Sequence, residues 1–576
     1  MMKNSPIKFM LMYMKKYAFI LSIAFLCSIF YVAGNIFIPI VSGYALDAML
    51  DVTHPELVFK YISYILILMA LASLFYWVLS YLASFVSYKI AKNMRDDAFK
   101  KIVITKMDTL DKMKHGDIMS ILITDITIIQ DGIIQTFIQF FSGFFTIVAT
   151  LVMMFIFSWE LALIVFFLTP LSLIVSYIIA KGTAKTFTLQ SKYRGKLSAL
   201  ANEYIENQKV VVANYHQEQA EKKFDEVAKV LKKHDMKASF YSSIINPSTR
   251  LINLIIYGVV CVVGAIFIKK EMIALTTGGL MTYLMFTNNY TNPFNEISEV
   301  ISELQTAYAS SKRVQTLLNF EEVDDGEINI EAIGGLVFDH VNFSYVEGKP
   351  IIKDMSFKIE KGSHVAIVGK TGCGKTTLIN LIMKFYDVTS GHIYIDGTDI
   401  KEVNAHALRE LIGMVLQDTW IFHGTILDNV RYANENATFE MVKEASELSG
   451  ASYFIEQMEK GYETIVSNSS GLSAGQKQLL CIDRLILKPK EMLILDEATS
   501  NIDTVNEKLI QKDFDEMMKG KTSIVIAHRL QTIINSDKIL VLDDGRLVEE
   551  GSHHDLLAKK GEYYKLYMTQ FAHSEN

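Results

Sequence analysis

Six stretches of this 576-residue chain are apolar over lengths that can cross a lipid bilayer, and that feature removes most soluble folds from consideration. They lie at about 18–41, 61–88, 133–157, 161–180, 251–268 and 280–300. A helix needs about 20 such residues to span the hydrocarbon core, so six transmembrane helices are expected. The flanks set an orientation. Lys15 and Lys16 precede the first run, whereas the loop after it holds Asp47, Asp51 and Glu56 with only Lys60. Positive charge stays on the cytoplasmic side, which puts the N-terminus there. The link between runs two and three agrees, carrying Lys89, Lys92, Arg95, Lys100, Lys101, Lys106, Lys112 and Lys114, and so does the basic stretch from Lys181 to Lys237. Lys269 and Lys270 fall on the outer side and are the exception.

The outer link at Ser158, Trp159 and Glu160 is short, but the two inner links run on for tens of residues without a Gly/Pro-rich break. Each is too polar and too narrow to make a core of its own, so both are expected to continue the spans as helices into the cytoplasm. Composition then divides the chain. Lys and Arg outnumber Asp and Glu up to residue 320, and the excess reverses beyond it, giving a net charge of −7. With 50% hydrophobic residues and a mean hydropathy of +0.24, this predicts an all-α membrane domain at 1–320, an acidic linker at 321–335 and a soluble domain at 336–576. The charge balance does not suggest nucleic acid as a partner. Cys27, Cys261, Cys373 and Cys481 have neither metal-ligand nor disulfide-framework spacing, as suits a reducing cytosol. The first apolar run is long and reads as uncleaved.

Chemistry concentrates in the soluble half. In IVGKTGCGKTTL an apolar β-type run, Val365 to Val368, leads into Gly369, Gly374, Lys375 and Thr376, and a helical pattern follows. GxxxxGK[ST] between strand and helix is a phosphate loop, in which backbone N–H groups cradle phosphates. The expected contacts run from Gly369 through Lys370, Thr371, Gly372, Cys373 and Gly374 to Lys375, Thr376 and Thr377. Lys375 reaches the terminal phosphates and the Thr376 hydroxyl meets Mg²⁺. A second apolar run, Met492 to Leu495, ends in Asp496 and Glu497, a carboxylate for the metal's surroundings and a neighbour able to orient water. GLSAGQKQ, residues 471–478, offers Ser473 and the bare backbone of Gly475 at a helix start suited to an anion.

The order of Gly369 to Thr376, Gln417, Leu472 to Gln476, Asp496 with Glu497, and His528 resembles the ATP-binding cassette (ABC) ATPases, and with six preceding spans the whole chain resembles ABC exporter half-transporters. That resemblance implies an α/β ABC ATPase domain with ATP and Mg²⁺ as cofactors. It makes Glu497, His528 and Gln417 catalytic, gives Thr376, Gln417 and Asp496 to the metal, and gives Tyr345, Ser473, Gly475, Gln476 and Asp503 to the nucleotide. Gln417 in MVLQD matches the Q-loop, His528 in VIAHR the switch histidine, Asp503 in SNID the D-loop, and Tyr345 in FSY the aromatic that stacks on adenine. HGDIMSILITDI and ENQKVVVANYHQE are similar to the family's intracellular loops. In the family each ATP is held between the phosphate loop of one domain and the signature segment of the other, so one chain carries half of each site.

The implied activity is ATP-driven export of an amphipathic or hydrophobic substrate, a drug, lipid or peptide, across the plasma membrane. An ATP-gated channel or regulatory subunit built on the same ATPase is the alternative. A DNA- or ribosome-directed ABC ATPase is ruled out by the spans, and no domain for processing a peptide cargo is expected ahead of them. One departure bears on assembly. The usual LSGGQ is LSAGQ here, with Ala474 for Gly, while Lys375, Glu497 and His528 are intact. This resembles one half of a heterodimeric exporter and favours a heterodimer, a homodimer remaining open. In the membrane half, Gln135 and Gln139 share a helix face, Tyr283, Phe286 and Tyr290 form a stripe, and with Asn35, Tyr31, Tyr81 and Asn253 they are candidates to line a route for substrate. Helix–helix hydrogen bonding and aromatic anchoring is the weightier reading of these positions.

Overall fold

The computed structural model describes the chain apart from residues 1–4, 52–53, 274, 324–325, 417–418, 469–470, 497–516, 527–532 and 571–576. It divides into two compact units, Met1–Lys100 with His115–Asn319, and Lys101–Lys114 with Phe320–Asn576.

The first unit is helical throughout. A short helix, Pro6–Lys15, starts with Pro6 in its first turn and the Ser5 hydroxyl accepting from Lys8 N, which satisfies one of the donors a helix start leaves open. Ala18–Leu50, Pro55–Ile104, the run His115–Phe157 and Pro247–Lys269 are, among the described residues, long and apolar enough to cross a membrane, and Trp159–Ser172 is a shorter apolar helix. The expected run at 161–180 falls in Trp159–Glu206. The one at 280–300 is shared by Thr277–Thr291 and Pro293–Leu318, joined at Asn292, whose φ of −63° and ψ of −44° are helical. Several helices far exceed a bilayer. Pro55–Ile104 has 50 residues, Trp159–Glu206 has 48 and Gln217–Lys269 has 53. At 1.5 Å per residue each is roughly 70–80 Å long, more than twice the hydrocarbon thickness. The last two pair far from their apolar ends, where Tyr193 stacks on His234 at 5.4 Å and Arg194 meets Asp235 at 3.4 Å.

Two π-helical turns, Ile121–Asp125 and Thr136–Phe141, interrupt the third membrane helix. The first delivers Asp125 into the interior at 1% exposure, where it accepts from Arg313 Nε at 2.7 Å, from Arg313 Nη2 and from Ser310 Oγ at 2.9 Å. Elsewhere two helices touch backbone to backbone, since a Cβ on Gly278 would lie 2.0 Å from the Gly43 carbonyl oxygen. Asp47 sits one turn along and accepts from Thr276 Oγ1 at 2.6 Å and Gly278 N at 2.7 Å, fixing the first turn of Thr277–Thr291. Tyr283, Phe286 and Tyr290 are all buried, in a cluster with Val32, Ile36 and Met154. That is packing. Tyr81 faces outward at 58% exposure in a ladder with Trp77 and Phe85.

The second unit holds twelve strands among its described residues: β1 Leu336–Phe343, β2 Ile352–Ile359, β3 His364–Gly369, β4 Ser390–Ile395, β5 Thr398–Asp399, β6 Ile412–Val415, β7 Gly424–Thr425, β8 Ile465–Val466, β9 Met492–Asp496, β10 Thr522–Ile526, β11 Lys538–Asp543 and β12 Arg546–Gly551. One sheet is antiparallel, in the order β2-β1-β4-β5, and the main sheet runs β12-β11-β3-β10-β9-β6. In the main sheet β11, β3, β10, β9 and β6 are parallel, which explains their unbroken apolar runs, because a parallel sheet is covered on both faces. Two apolar clusters result, one between the sheets around Phe338, Ile367 and Leu378, the other under the helices Phe439–Leu448 and Ala474–Leu487. Lys101–Lys114 belongs to this unit through an antiparallel bridge between Thr105 and Glu322, flanked by Val323 N donating to Ile104 O at 2.9 Å. Lys101 Nζ reaches Glu322 Oε1 at 2.6 Å.

Candidate functional site

The site grows from the C-terminal end of β3, where loop Gly369–Gly374 turns into the helix Lys375–Ile382. Glycine is required at both ends. A Cβ on Gly369 would lie 2.3 Å from Leu542 O, and Gly374 has φ +103° with Ile352 Cδ1 at 2.7 Å from a Cβ there. Lys375 curls back so that its ammonium donates to Gly369 O at 2.8 Å and Lys370 O at 3.1 Å. Two of its three N–H donors thus brace the loop and one is left for a phosphate. Thr371, Gly372 and Thr376 are exposed, and Cys373 and Thr377 are buried. Burial pushes the Cys373 thiol above its ordinary pKa, so it stays uncharged beside the phosphate cradle. Lys370 faces Asp543 at 3.7 Å.

Asp496 ends β9 in register with Ile526 of β10, which in turn pairs with Ile367 of β3. It therefore stands two strands, roughly 10 Å, from the strand that carries the loop. Glu497 follows it in the sequence. Asp496 is 4% exposed. A carboxylate and the exposed Thr376 hydroxyl are hard oxygen donors of the kind Mg²⁺ takes alongside phosphate oxygens and water, so the residues fit the ion. No group of three or more His, Cys, Asp or Glu that could cage a metal occurs among the described residues.

Tyr345 follows β1 and is half-buried. Its ring packs edge-to-face on Phe343 at 4.8 Å and Tyr386 at 4.9 Å, and its hydroxyl accepts from Asn380 Nδ2 at 2.9 Å and lies 3.4 Å from Thr377 Oγ1. Tyr345 is thereby tied to the phosphate-loop helix. Ser473 caps the helix Ala474–Leu487 in a capping box: its Oγ accepts from Gln476 N at 3.2 Å, and Gln476 Oε1 accepts from Ser473 N at 2.9 Å. The hydroxyl proton of Ser473 remains available to an incoming anion, Gly475 is buried in the first turn, and Ala474 faces outward. Gln417, Glu497, Asp503 and His528 lie outside the described residues.

Three features have no local signature in the sequence. Tyr386 donates its hydroxyl to Asp111, 275 residues away. Asn380, three residues past Thr377, anchors Tyr345. Asp483, in a helix that reads as amphipathic, is wholly buried, and Ser446 Oγ donates to its Oδ2 at 2.8 Å.

Comparison with known proteins adds to this geometry. The family model for the ABC transporter transmembrane region matches residues 21–294, and that for the ABC transporter matches residues 352–500. The chain is 37% identical over 498 residues to the fatty acid ABC transporter ATP-binding/permease protein of Mycobacterium tuberculosis, covering 86% of this chain and 79% of that one. It is 34% identical over 500 residues to the ATP-dependent lipid A-core flippase of Vibrio parahaemolyticus, covering 86% of each. A bacterial Atm1-family ABC exporter solved with ATP bound superposes with a TM-score of 0.82 over 96% of this chain and 98% of that one; at 24% identity it shows the likeness of fold.

Proposed function

The chain belongs to the ABC transporters, an ATP-hydrolysing membrane exporter by its two family regions and its relatives, and from that premise we propose that it is one half of a plasma-membrane exporter whose two ATP sites form only when its ATPase unit meets that of a second chain. The observation that carries the reading is the braced loop Gly369–Lys375 on the same chain as apolar helices of membrane-spanning length. In this account the loop N–H groups and the free donor of Lys375 hold the β- and γ-phosphates, and Tyr345 takes the base. Thr376, Gln417 and Asp496 would hold Mg²⁺, which would supply neutralisation of the charge that develops on the γ-phosphoryl group. Glu497 orients the attacking water, His528 donates to the γ-phosphate, and Ser473, Gly475 and Gln476 of one chain, with Asp503, close over the nucleotide on the other. Domain closure drives the membrane helices, and hydrolysis resets them.

We place the N-terminus and the ATPase unit in the cytoplasm on the strength of the basic inner links. For the substrate we favour an amphipathic molecule with acyl chains, which the fatty-acid and lipid A-core relatives support. Ala474 favours a heterodimer, because a methyl group at the first helical residue stands where the partner's γ-phosphate would approach. The test is transport in proteoliposomes. Labelled acyl lipids should move only with ATP, and Lys375→Ala should abolish the movement. Passive, ATP-gated conductance without accumulation would instead support a channel.

A further inference from the structure

The short helix Pro6–Lys15 and the long helix Pro55–Ile104 flank an open cleft of about 350 Å³, a volume within the range of small-ligand sites. Two hydrogen bonds tie its walls together. Tyr13 Oη donates to Asp97 Oδ2 at 2.7 Å, and Asn93 Nδ2 donates to Tyr17 Oη at 3.1 Å. The short helix is also anchored on its other side, with Phe9 buried and Ser311 Oγ donating to Pro6 O at 3.3 Å. The cleft is therefore formed before any ligand arrives.

Tyr17 fixes its depth. That residue precedes Ala18, where the first helix of membrane-spanning length begins, and it holds Asn93 level with that boundary. From Asn93 to Lys100 the long helix rises roughly 10 Å, comparable to the headgroup layer outside a bilayer's hydrocarbon core. Ile7, Leu11 and Met12 are exposed on the short helix, apolar side chains placed to meet acyl chains at the same interface.

Asn93, Asp96, Asp97 and Lys100 follow one another at i, i+3, i+4 and i+7 on one face of the long helix, and Lys16 lines the opposite wall. Asp97 is committed to Tyr13. Burial and that carboxylate push the Tyr13 phenol above its ordinary pKa, so the phenol stays a donor. Lys16, Asp96 and Lys100 have no hydrogen-bond or ion-pair partner among the described residues. Two free ammonium groups and one free carboxylate in the same cleft complement a ligand that carries both an anionic and a cationic centre. A ligand with an anionic centre alone would bring its charge up to the Asp96 carboxylate with nothing to offset the repulsion.

We infer that this cleft binds the headgroup of a zwitterionic phospholipid, with Lys16 and Lys100 on its phosphate and Asp96 on its primary ammonium, and that this lipid is a resident ligand of the membrane unit and not its cargo. The site lies outside the ATP-binding unit and does not depend on what the chain exports.

The experiment is native mass spectrometry of the full chain, delipidated in detergent and titrated with phosphatidylethanolamine, phosphatidylcholine or phosphatidylglycerol of identical acyl chains, reading the first lipid bound. Phosphatidylethanolamine is expected to bind with a Kd roughly three- to fivefold below the other two, the scale of one partly exposed ion pair. Its primary ammonium donates hydrogen bonds to a carboxylate, whereas choline has no N–H and phosphatidylglycerol has no cation. Asp96→Asn erases the preference by weakening phosphatidylethanolamine while leaving phosphatidylglycerol as tight or tighter, a change of selectivity that partial unfolding does not produce. Lys16→Gln and Lys100→Gln weaken all three lipids, whereas Lys8→Gln, on the same short helix but not lining the cleft, leaves each Kd within about twofold. Glycerophosphoethanolamine, the same headgroup without chains, fails to displace the lipid at equal concentration. Equal affinity for the three lipids in the wild type, or a preference that survives Asp96→Asn, would overturn the inference. Loss of binding in Lys8→Gln as large as in Lys16→Gln would reduce it to general attraction of a basic surface, and displacement by glycerophosphoethanolamine would give the cleft to a soluble phosphate ester instead of a lipid.

Discussion

Asp483 gives the sharpest energetic prediction. It lies on the helix Ala474–Leu487, which Ser473 caps, and it is wholly buried against Ser446 of the helix Phe439–Leu448 and Ser449, that helix's C-cap. Ser446 donates to Oδ2, whereas Oδ1 has no partner in hydrogen-bonding geometry. Burial pushes the carboxyl up from an ordinary value of 3.8 to about 7, against the opposing pull of the Ser449 and Ser446 hydroxyls and the Arg484 guanidinium. Below pH 3.8 the group is protonated in folded and unfolded chain alike and contributes nothing. Between 3.8 and about 7 the unfolded chain ionises while the folded one keeps its proton, so stability falls as pH rises through that window. At about 1.4 kcal/mol per unit the loss reaches about 4 kcal/mol above pH 7. Asp483→Asn keeps the shape and an acceptor for Ser446 without the charge, and should recover most of it. For a domain of 150–250 residues at roughly 2–4 °C per kcal/mol, the variant's melting temperature at pH 8 should exceed the wild type's by about 10 °C, and the gap should shrink by more than half at pH 5. Scanning fluorimetry of the full chain in detergent at both pH values reads this. A wild type and variant that melt together at pH 8 would refute the reasoning.

Two further outcomes are expected. Tyr345→Ala should weaken ATP binding by roughly 1–2 kcal/mol, the scale of base–aromatic stacking, while Tyr345→Trp stays within twofold of wild type by equilibrium titration. Arg313→Leu strands the Asp125 carboxylate, which is 1% exposed; a loss of about 2–3 kcal/mol is expected, below the range for fully buried pairs because the Arg313 side chain is 56% exposed, and Asp125→Asn in the same chain should restore part of it in thermal unfolding.

What the sequence made legible was local. The phosphate loop could be read because glycine spacing, Lys375 and the apolar run into it all fall within a dozen residues, and β3 and β9 because their runs Val365 to Val368 and Met492 to Leu495 are apolar throughout, as in strands buried on both faces. The long helices were legible from the absence of breaks, although Pro39, Pro170 and Pro247 sit inside them. Contacts between distant segments left no trace in composition. Asp111 with Tyr386 and Asp125 with Arg313 join residues 275 and 188 apart, and each acid looks like an ordinary solvated charge until the fold brings its partner. Asp483 misleads for the same reason: the pattern CIDRLI gives it no more reason to be buried than Arg484 beside it. The Tyr283 stripe went the other way, with a spacing compatible with a lined route and a packing that buries all three rings.

The most direct test of the account is ATP hydrolysis by this chain purified alone and after co-expression with a second half-transporter from a neighbouring gene, each in lipid nanodiscs with and without an acyl-lipid substrate. The account predicts little turnover from the chain alone, substrate-stimulated turnover from the pair, and loss of nearly all of it with Glu497→Gln in this chain but little loss from the matching change in the partner. Full, substrate-stimulated hydrolysis by this chain on its own would contradict the claim that a different second chain completes its working site.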